Sequence, residues 1–334
     1  MTARVGSALL EVEDLVVRYP VPRGFVEALA RRPRTWVHAV SGVSLTLGRG
    51  EMLAVVGESG SGKTTMAQSV LCLVERESGQ IRFAEQDVGS LSARELRSLR
   101  RRMQIIYQDP YESLNPRFRV RATLEEPLVV HGTGSREERG RQVVEALELA
   151  GLTPASAYLE RYPHELSGGQ RQRVAIAAAL VLQPELLIAD EPVSMLDVSV
   201  RAGILELLAE LRRRGLSVLM ITHDLSTAAH YADRIAVMYA GRVVEQGPAH
   251  EVIEDPRHPY TMALLSAVPP RDPREPYKPQ LLEGEAADVL RPPSGCRFAS
   301  RCPRVIDACA ASDPVLTPNG DAVAAAHRAA CIRQ

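Results

Sequence analysis

The nine residues Gly57-Glu58-Ser59-Gly60-Ser61-Gly62-Lys63-Thr64-Thr65 constrain this chain more than any other stretch. The apolar run Met52 to Val56 precedes them, and Met66 to Leu71 follow with a helical apolar pattern. The pattern G-x-x-x-x-G-K-[ST] thus stands in the strand–loop–helix setting that gives it meaning. Glycines let the backbone turn so that its N–H groups point at phosphate oxygens. A helix starting near Gly62 brings its positive dipole end to the same place. Lys63 has the reach for β- and γ-phosphates, and the Thr64 hydroxyl suits a Mg2+ ion. The bland alternative is a solvated Gly/Ser turn, and the flanking strand and helix argue against it. The stretch reads as a nucleotide-binding loop.

The 334 residues are enough for about two domains. Hydrophobic residues at 45% and charged residues at 24% describe an ordinary folded chain. Forty Lys and Arg against 41 Asp and Glu give a net charge of −1, so no global basic field recruits nucleic acid. Val174 to Leu182 is among the longest apolar runs and is too short to span a membrane. Leu9-Leu10 runs directly into Glu11, Glu13 and Asp14, which is not a secretory leader, so the protein is expected to stay in the cytoplasm.

Taken in order, residues 8–18 form a first strand. A Pro/Arg-containing insertion over 20–37 carries Arg31, Arg32, Arg34 and Trp36 and reads as a surface loop. Tyr19 is placed either to stack on an adenine ring or simply to end a strand. Strands follow at 43–47 and before the phosphate loop, and Cys72 falls in the core of the first helix. Gly79 to Phe83 is another strand. Ser92-Ala93-Arg94-Glu95 is a capping box opening an arginine-rich, solvated helix to about 102. The strand Met103 to Tyr107 delivers Gln108-Asp109-Pro110 into a loop. Residues 111–165 are mostly helical, with a second capping box at Ser135 to Glu138 and a break at Gly151 to Pro154.

Leu166-Ser167-Gly168-Gly169-Gln170 then opens a helix whose serine and glycines make a second anion-ready N-terminus. The buried strand Leu186 to Ala189 ends in Asp190-Glu191-Pro192. An acidic residue at the carboxyl end of such a strand is the expected Mg2+ anchor beside a phosphate loop, and a neighbouring carboxylate can polarise water. Ser194-Met195-Leu196-Asp197 precedes a helix to about 213, and the strand Ser217 to Thr222 ends at His223-Asp224.

In this order these segments resemble the ATP-binding subunits of ABC transporters over roughly residues 8–250. Residues 57–65 are similar to Walker A, Gln108 to the Q-loop and Leu166 to Gln170 to the signature motif. Leu186 to Glu191 resembles Walker B with its catalytic glutamate, Ser194 to Asp197 the D-loop, and His223 the H-loop. Met195 departs from the alanine usual in the family. The resemblance implies an α/β fold: an ABC-type P-loop nucleotide-binding domain with a mixed β core over 1–255 and a helical subdomain at about 110–180. A small cysteine-containing C-terminal extension at 256–334 completes the chain.

The tail narrows the resemblance. His258-Pro259-Tyr260-Thr261, Leu264-Leu265, Gly295-Cys296-Arg297-Phe298 and Arg301-Cys302-Pro303 are similar to the extension of dipeptide and oligopeptide importers. Between these segments Pro269 to Pro293 holds seven prolines and reads as an extended linker ordered by contact. The cysteines run Cys296-x5-Cys302-x6-Cys309-x21-Cys331. Four thiolates suit a [4Fe–4S] cluster; zinc more often shows a close C-x2–4-C pair, absent here; plain packed thiols are the third reading. A reducing compartment disfavours disulfides.

The resemblance further implies that two cassettes clamp two ATP molecules head to tail. Walker A of one subunit would face Ser167, Gly168, Gly169 and Gln170 of the other, with Asp197 near the shared nucleotide. Asp190, Thr64 and Gln108 would serve Mg2+, Glu191 the attacking water, and His223 and Gln108 the γ-phosphate. Implied partners are two membrane-spanning permease subunits, a second identical or homologous ATPase and an extracytoplasmic solute-binding protein. The chain would be peripheral on the cytoplasmic face of the membrane. Rival readings are an importer ATPase for nickel or another solute, and a soluble ABC ATPase acting on ribosomes or DNA. The second of these usually carries two cassettes or a long coiled coil, and this chain shows one signature and no long heptads.

Overall fold

The computed structural model describes residues 8–22, 34–269, 274, 277, 279–280, 282–284, 287–318 and 326–333. In chain order the strands are β1 (Leu10–Pro20), β2 (Trp36–Leu47), β3 (Met52–Val56), β4 (Ser78–Phe83), β5 (Gln86–Asp87) and β6 (Met103–Ile106). They continue with β7 (Leu186–Asp190), β8 (Ser217–Thr222), β9 (Arg234–Tyr239), β10 (Arg242–Pro248), β11 (Thr317–Pro318) and β12 (Arg328–Ala329). By compactness the chain forms two units. One holds residues 1–9, 47–52 and 90–221; the other holds 10–46, 53–89 and 222–334.

In the first of these units, β6, β7 and β8 are parallel neighbours, with Met103 opposite Leu186 and Asp190 opposite Ile221. Every residue of β7 and β8 is buried, as befits strands covered on both faces. The helical part follows β6: Pro110–Ser113, Val120–Val130, Arg136–Leu149 and Gly168–Leu180, all within the expected 110–180 stretch. Both expected capping boxes form. Ser92 and Glu95, and Ser135 and Glu138, exchange side-chain and backbone hydrogen bonds reciprocally. Together they fix where two arginine-rich helices begin, independently of what those helices pack on.

In the other unit, β2, β1, β4 and β5 form an antiparallel sheet in that order, and β11, β12, β10, β9 and β3 lie side by side. β3 pairs parallel with β9, placing Leu53 opposite Arg234 and Val56 opposite Val237. β2 starts at Trp36, seven residues before the strand expected at 43–47. The sequence Ser41-Gly42 looks like a break, and Gly42 does take φ +73°, yet the strand runs through it because Val40, Val43, Leu45 and Leu47 are all buried. Trp36 and residue 37 therefore belong to the strand, and residues 23–33, including Arg31 and Arg32, lie outside the described residues. Cys72 is likewise not a core helix residue: the helix Lys63–Val70 has ended, and Cys72 sits half-buried at φ +51°.

The described parts of the proline-rich segment contain no helix or strand and are held by single contacts. The Val289 carbonyl accepts from the His38 N–H at 2.8 Å, the Tyr239 hydroxyl accepts from the Ala287 N–H at 3.3 Å, and the Ser266 hydroxyl accepts from the Gln280 N–H.

Candidate functional site

The phosphate loop leaves β3 and ends at the helix Lys63–Val70. Its glycines are required at two places. A Cβ on Gly57 would lie 2.1 Å from the Met238 carbonyl oxygen, and one on Gly62, at φ +100°, 2.2 Å from that of Ala39. No side chain fits there, so the loop closes tightly on β9 and β2. Lys63 is 5% exposed, and its Nζ donates to the carbonyls of Gly57 at 2.8 Å and Glu58 at 2.9 Å, 3.4 Å from the Ser61 hydroxyl. An ammonium on those carbonyls keeps its charge close to the loop while its backbone N–H groups remain to meet an anion. Thr64, Ser59 and Gly60 are exposed and Thr65 is half-buried, on the solvent side of the loop. Tyr19, also in this unit, is half-buried near the end of β1.

Within this unit too, His223 is exposed on a turn that its neighbours hold firmly. The Thr222 hydroxyl accepts from the Asp224 N–H at 3.0 Å. The Asp224 carboxylate caps the helix Leu225–Tyr231 through the Ser226 N–H and the Thr227 hydroxyl.

In the other unit, Asp190 ends β7 and is buried, while Glu191 turns out of the strand at φ +46°. A non-glycine residue in that region is strained, which is the kind of geometry that functional sites retain. The Glu191 N–H donates to Ile221 O at 2.9 Å, its carbonyl accepts from the Ser194 hydroxyl at 3.1 Å, and Gln108 Nε2 donates to its carboxylate at 3.4 Å. Asp190, Glu191 and Gln108, separated by more than 80 positions in sequence, are thus gathered at the carboxyl ends of β6 and β7.

Ser167 caps the helix Gly168–Leu180. Its hydroxyl accepts from the Gln170 N–H at 3.3 Å, and the Gln170 side-chain oxygen accepts from the Ser167 N–H at 3.1 Å. The hydroxyl retains its proton for donation outward, alongside the helix-start N–H groups. Of the two glycines, Gly169 is the tighter. A Cβ there would lie 2.5 Å from Val200 Cγ1, whereas one on Gly168 would meet Leu196 Cδ2 at an ordinary 3.6 Å. Asp197 is exposed and precedes the helix Val198–Arg213 without a side-chain cap bond. Met195 and Val198 beside it are 60% and 80% exposed, more apolar surface than a solvated turn calls for.

Of the tail cysteines, Cys309 is buried and Cys296, Cys302 and Cys331 are half-buried. Burial pushes the Cys296 thiol upward, and Cys309, Cys302 and Cys331 all lie near enough to oppose its ionisation further. Cys302 is raised by burial and then by Cys331 and Cys309. Among the described residues no group of three or more His, Cys, Asp or Glu is arranged to hold a metal ion.

Three residues in the tail segments already singled out make contacts, on or beside the loop, that the sequence did not announce. The buried Tyr260 hydroxyl accepts the Glu58 N–H at 2.9 Å, Arg301 pairs with the Glu58 carboxylate at 2.9 Å, and Arg297 holds the Ala240 carbonyl. Tyr260 and Arg301 lie 202 and 243 positions from Glu58, and Arg297 lies 57 from Ala240, so only the fold brings these pairs together.

The family profile for ABC transporters matches residues 40–194, and that for the oligopeptide/dipeptide transporter C-terminal region matches 244–309. The chain is 46% identical over 312 residues to a putative peptide import ATP-binding protein of Brucella ovis, covering 93% of this chain and 96% of that one. It is 44% identical to the di/tripeptide transport ATP-binding protein DppF of Pseudomonas aeruginosa, covering 93% and 94%. Among solved structures, a dimeric ATP-binding cassette in a post-hydrolysis state with ADP and Pi superposes with a TM-score of 0.62 at 29% identity, over 72% of this chain and 98% of that one. The chain belongs to the ATP-binding subunits of ABC transporters, in the dipeptide and oligopeptide importer family.

Proposed function

We propose that this chain is the ATP-hydrolysing subunit that energises import of di- and oligopeptides, acting from the cytoplasmic face of the membrane. Two family matches on one chain carry the reading: a cassette, and the C-terminal region particular to peptide importers. No helix among the described residues is long and apolar enough to cross a membrane, so a path for the peptide would come from permease subunits. In this reading Gly57 to Thr65 cradle the triphosphate of ATP, and Tyr19 offers a face for the base. Thr64, Asp190 and Gln108 would hold Mg2+, which neutralises charge on the phosphates. Glu191 would orient or deprotonate the attacking water, and His223 and Gln108 would meet the γ-phosphate. Ser167, Gly168, Gly169 and Gln170, with Asp197, would cover the nucleotide of a second ATPase. The exposed Met195 and Val198 supply apolar surface for that partner. An extracytoplasmic binding protein would deliver the peptide.

Pulled from detergent-solubilised membrane, the chain is expected to bring two integral membrane subunits and an ATP-binding partner with it. Its deletion should abolish uptake of labelled di- and oligopeptides. Cross-links to ribosomal or nucleoid proteins alone would defeat this reading.

The extension from residue 256 would hold a [4Fe–4S] cluster on Cys296, Cys302, Cys309 and Cys331. Support comes from the donor number, since each iron of such a cluster takes one thiolate. Four ligands on one zinc ion would have to converge on a single point, a tighter arrangement than a cluster asks for. Anaerobically purified protein is then expected to be brown, with about four irons per chain. Cys302→Ser should remove the colour while ATP still binds. Colourless protein with stoichiometric zinc, or with no metal, would refute the cluster.

A further inference from the structure

Two arginines of the segment 296–302 bear on the phosphate loop, Arg301 directly and Arg297 through the β9–β10 turn. Arg301 is nearly buried, and its Nη1 donates to the Glu58 carboxylate at 2.9 Å while its guanidinium lies 5.9 Å from the Tyr239 ring centre. Arg297 is 9% exposed and donates to the Ala240 carbonyl, and the N–H of the next residue, Gly241, donates to the Ser61 carbonyl at 2.9 Å. Phe298, between them, packs its ring against Tyr239, Tyr260 and His258 with centroids 5.2–5.6 Å apart. Tyr260 in turn accepts the Glu58 N–H, and the Glu58 carbonyl accepts from Lys63. Residues on both sides of Gly60 are therefore fixed by the tail, one directly and one through the β9–β10 turn.

We propose that Arg301, Arg297 and Tyr260 are positioning residues for the phosphate loop, and that through them the tail sets the chain's affinity for ATP. The proposal rests on the reading of Gly57 to Thr65 as an ATP site. A loop with three glycines in nine residues has much conformational freedom to lose on binding. Contacts that order it beforehand remove that cost from the binding step. Phosphate recognition by backbone N–H groups is also sensitive to small displacements, so holding Glu58 and Ser61 holds the directions of the N–H groups between them. If the contacts served only to anchor the tail, breaking them would change its protease sensitivity and leave nucleotide affinity alone.

The test is a fluorescent-ATP titration of the full chain. Arg301→Ala should weaken binding about three- to tenfold, the loss of one charge-assisted hydrogen bond at a half-exposed partner. Arg301→Lys, which keeps a cation on Glu58, should lie within about twofold of the unaltered chain. Glu58→Gln should reproduce the loss, and Glu58→Gln with Arg301→Ala should be no weaker than Arg301→Ala alone, as expected for one shared interaction. Unchanged affinity in Arg301→Ala, or additive losses in the double variant, would overturn the proposal. Where Arg301→Ala does not fold, Arg301→Gln carries the same expectation, and unchanged affinity there overturns it equally. An unaltered chain that fails to bind ATP defeats the ATP reading itself, and is distinguishable because it needs no variant.

Discussion

Transporter carrying Glu191→Gln is expected to bind ATP as the unaltered protein does and to hydrolyse it at least about a hundredfold more slowly, the loss typical of removing a general base. That factor is about 2.7 kcal/mol of barrier. Glutamine preserves the size of the side chain and can keep a hydrogen bond with Gln108, now 3.4 Å away, so the turn at φ +46° should survive. What glutamine lacks is a carboxylate able to take a proton from water. Asp190 is not expected to substitute, because it is buried at the end of β7. Phosphate release under saturating ATP, measured beside equilibrium nucleotide binding, separates the two effects. Turnover at the unaltered rate would remove Glu191 from the catalytic role.

Glu245→Ala is expected to lower the stability of the chain by roughly 3–5 kcal/mol, as removing one member of a buried pair does. Glu245 lies in β10 with no exposed surface and accepts the N–H groups of Arg257 at 2.8 Å and His258 at 2.9 Å. It also meets His327 Nε2 at 2.7 Å, and His327 is itself fully buried. Alanine would leave two N–H donors and one imidazole nitrogen without a partner inside the protein, each costly. The damage should spread along the chain. Burial holds the His258 imidazole down at about 4, against the opposing influence of Glu245, so its neutral Nδ1 is able to accept the Tyr260 N–H. β12, which pairs with β10 beside His327, would lose its anchor. Urea unfolding followed by circular dichroism gives the change directly, and limited proteolysis after residue 326 reports the detached strand. A loss below about 1 kcal/mol would mean that the pair is replaceable by water and that the tail is held elsewhere.

Much of the site was legible in the chain because its parts are local. A loop that must turn on glycine and then start a helix writes itself into consecutive residues, as Gly57 to Thr65 do. Capping boxes are equally local, which is why Ser92 with Glu95 and Ser135 with Glu138 form as the sequence requires. The apolar runs in β3, β7 and β8 announce buried parallel strands, and the acidic pair Asp190-Glu191 stands at the carboxyl end of β7. The run from Trp36 to Ser41 was not legible, because Ser41-Gly42 looks like a break and only the burial of Val40 together with Val43, Leu45 and Leu47 carries the strand through it. Nor was Cys72, whose helix ends two residues early in a left-handed turn.

What the sequence by itself determined was the make-up of each segment: a glycine-rich loop opening a helix, a pair of carboxylates, a capped serine–glycine helix start, four cysteines in the tail. Only the tertiary structure decided which segments act together. Gln108 came to Glu191 because β6 and β7 pair in parallel register, bringing their carboxyl ends to one place. Arg301 came to Glu58, and Glu245 to His327, across 243 and 82 positions respectively. A charge carries no mark in sequence of the partner it will meet, since a salt bridge depends on two ends arriving within a few ångströms. For Arg301 that arrival goes with the packing of the Tyr239, Tyr260 and Phe298 rings beside it, a property of the folded core and of no single stretch of chain.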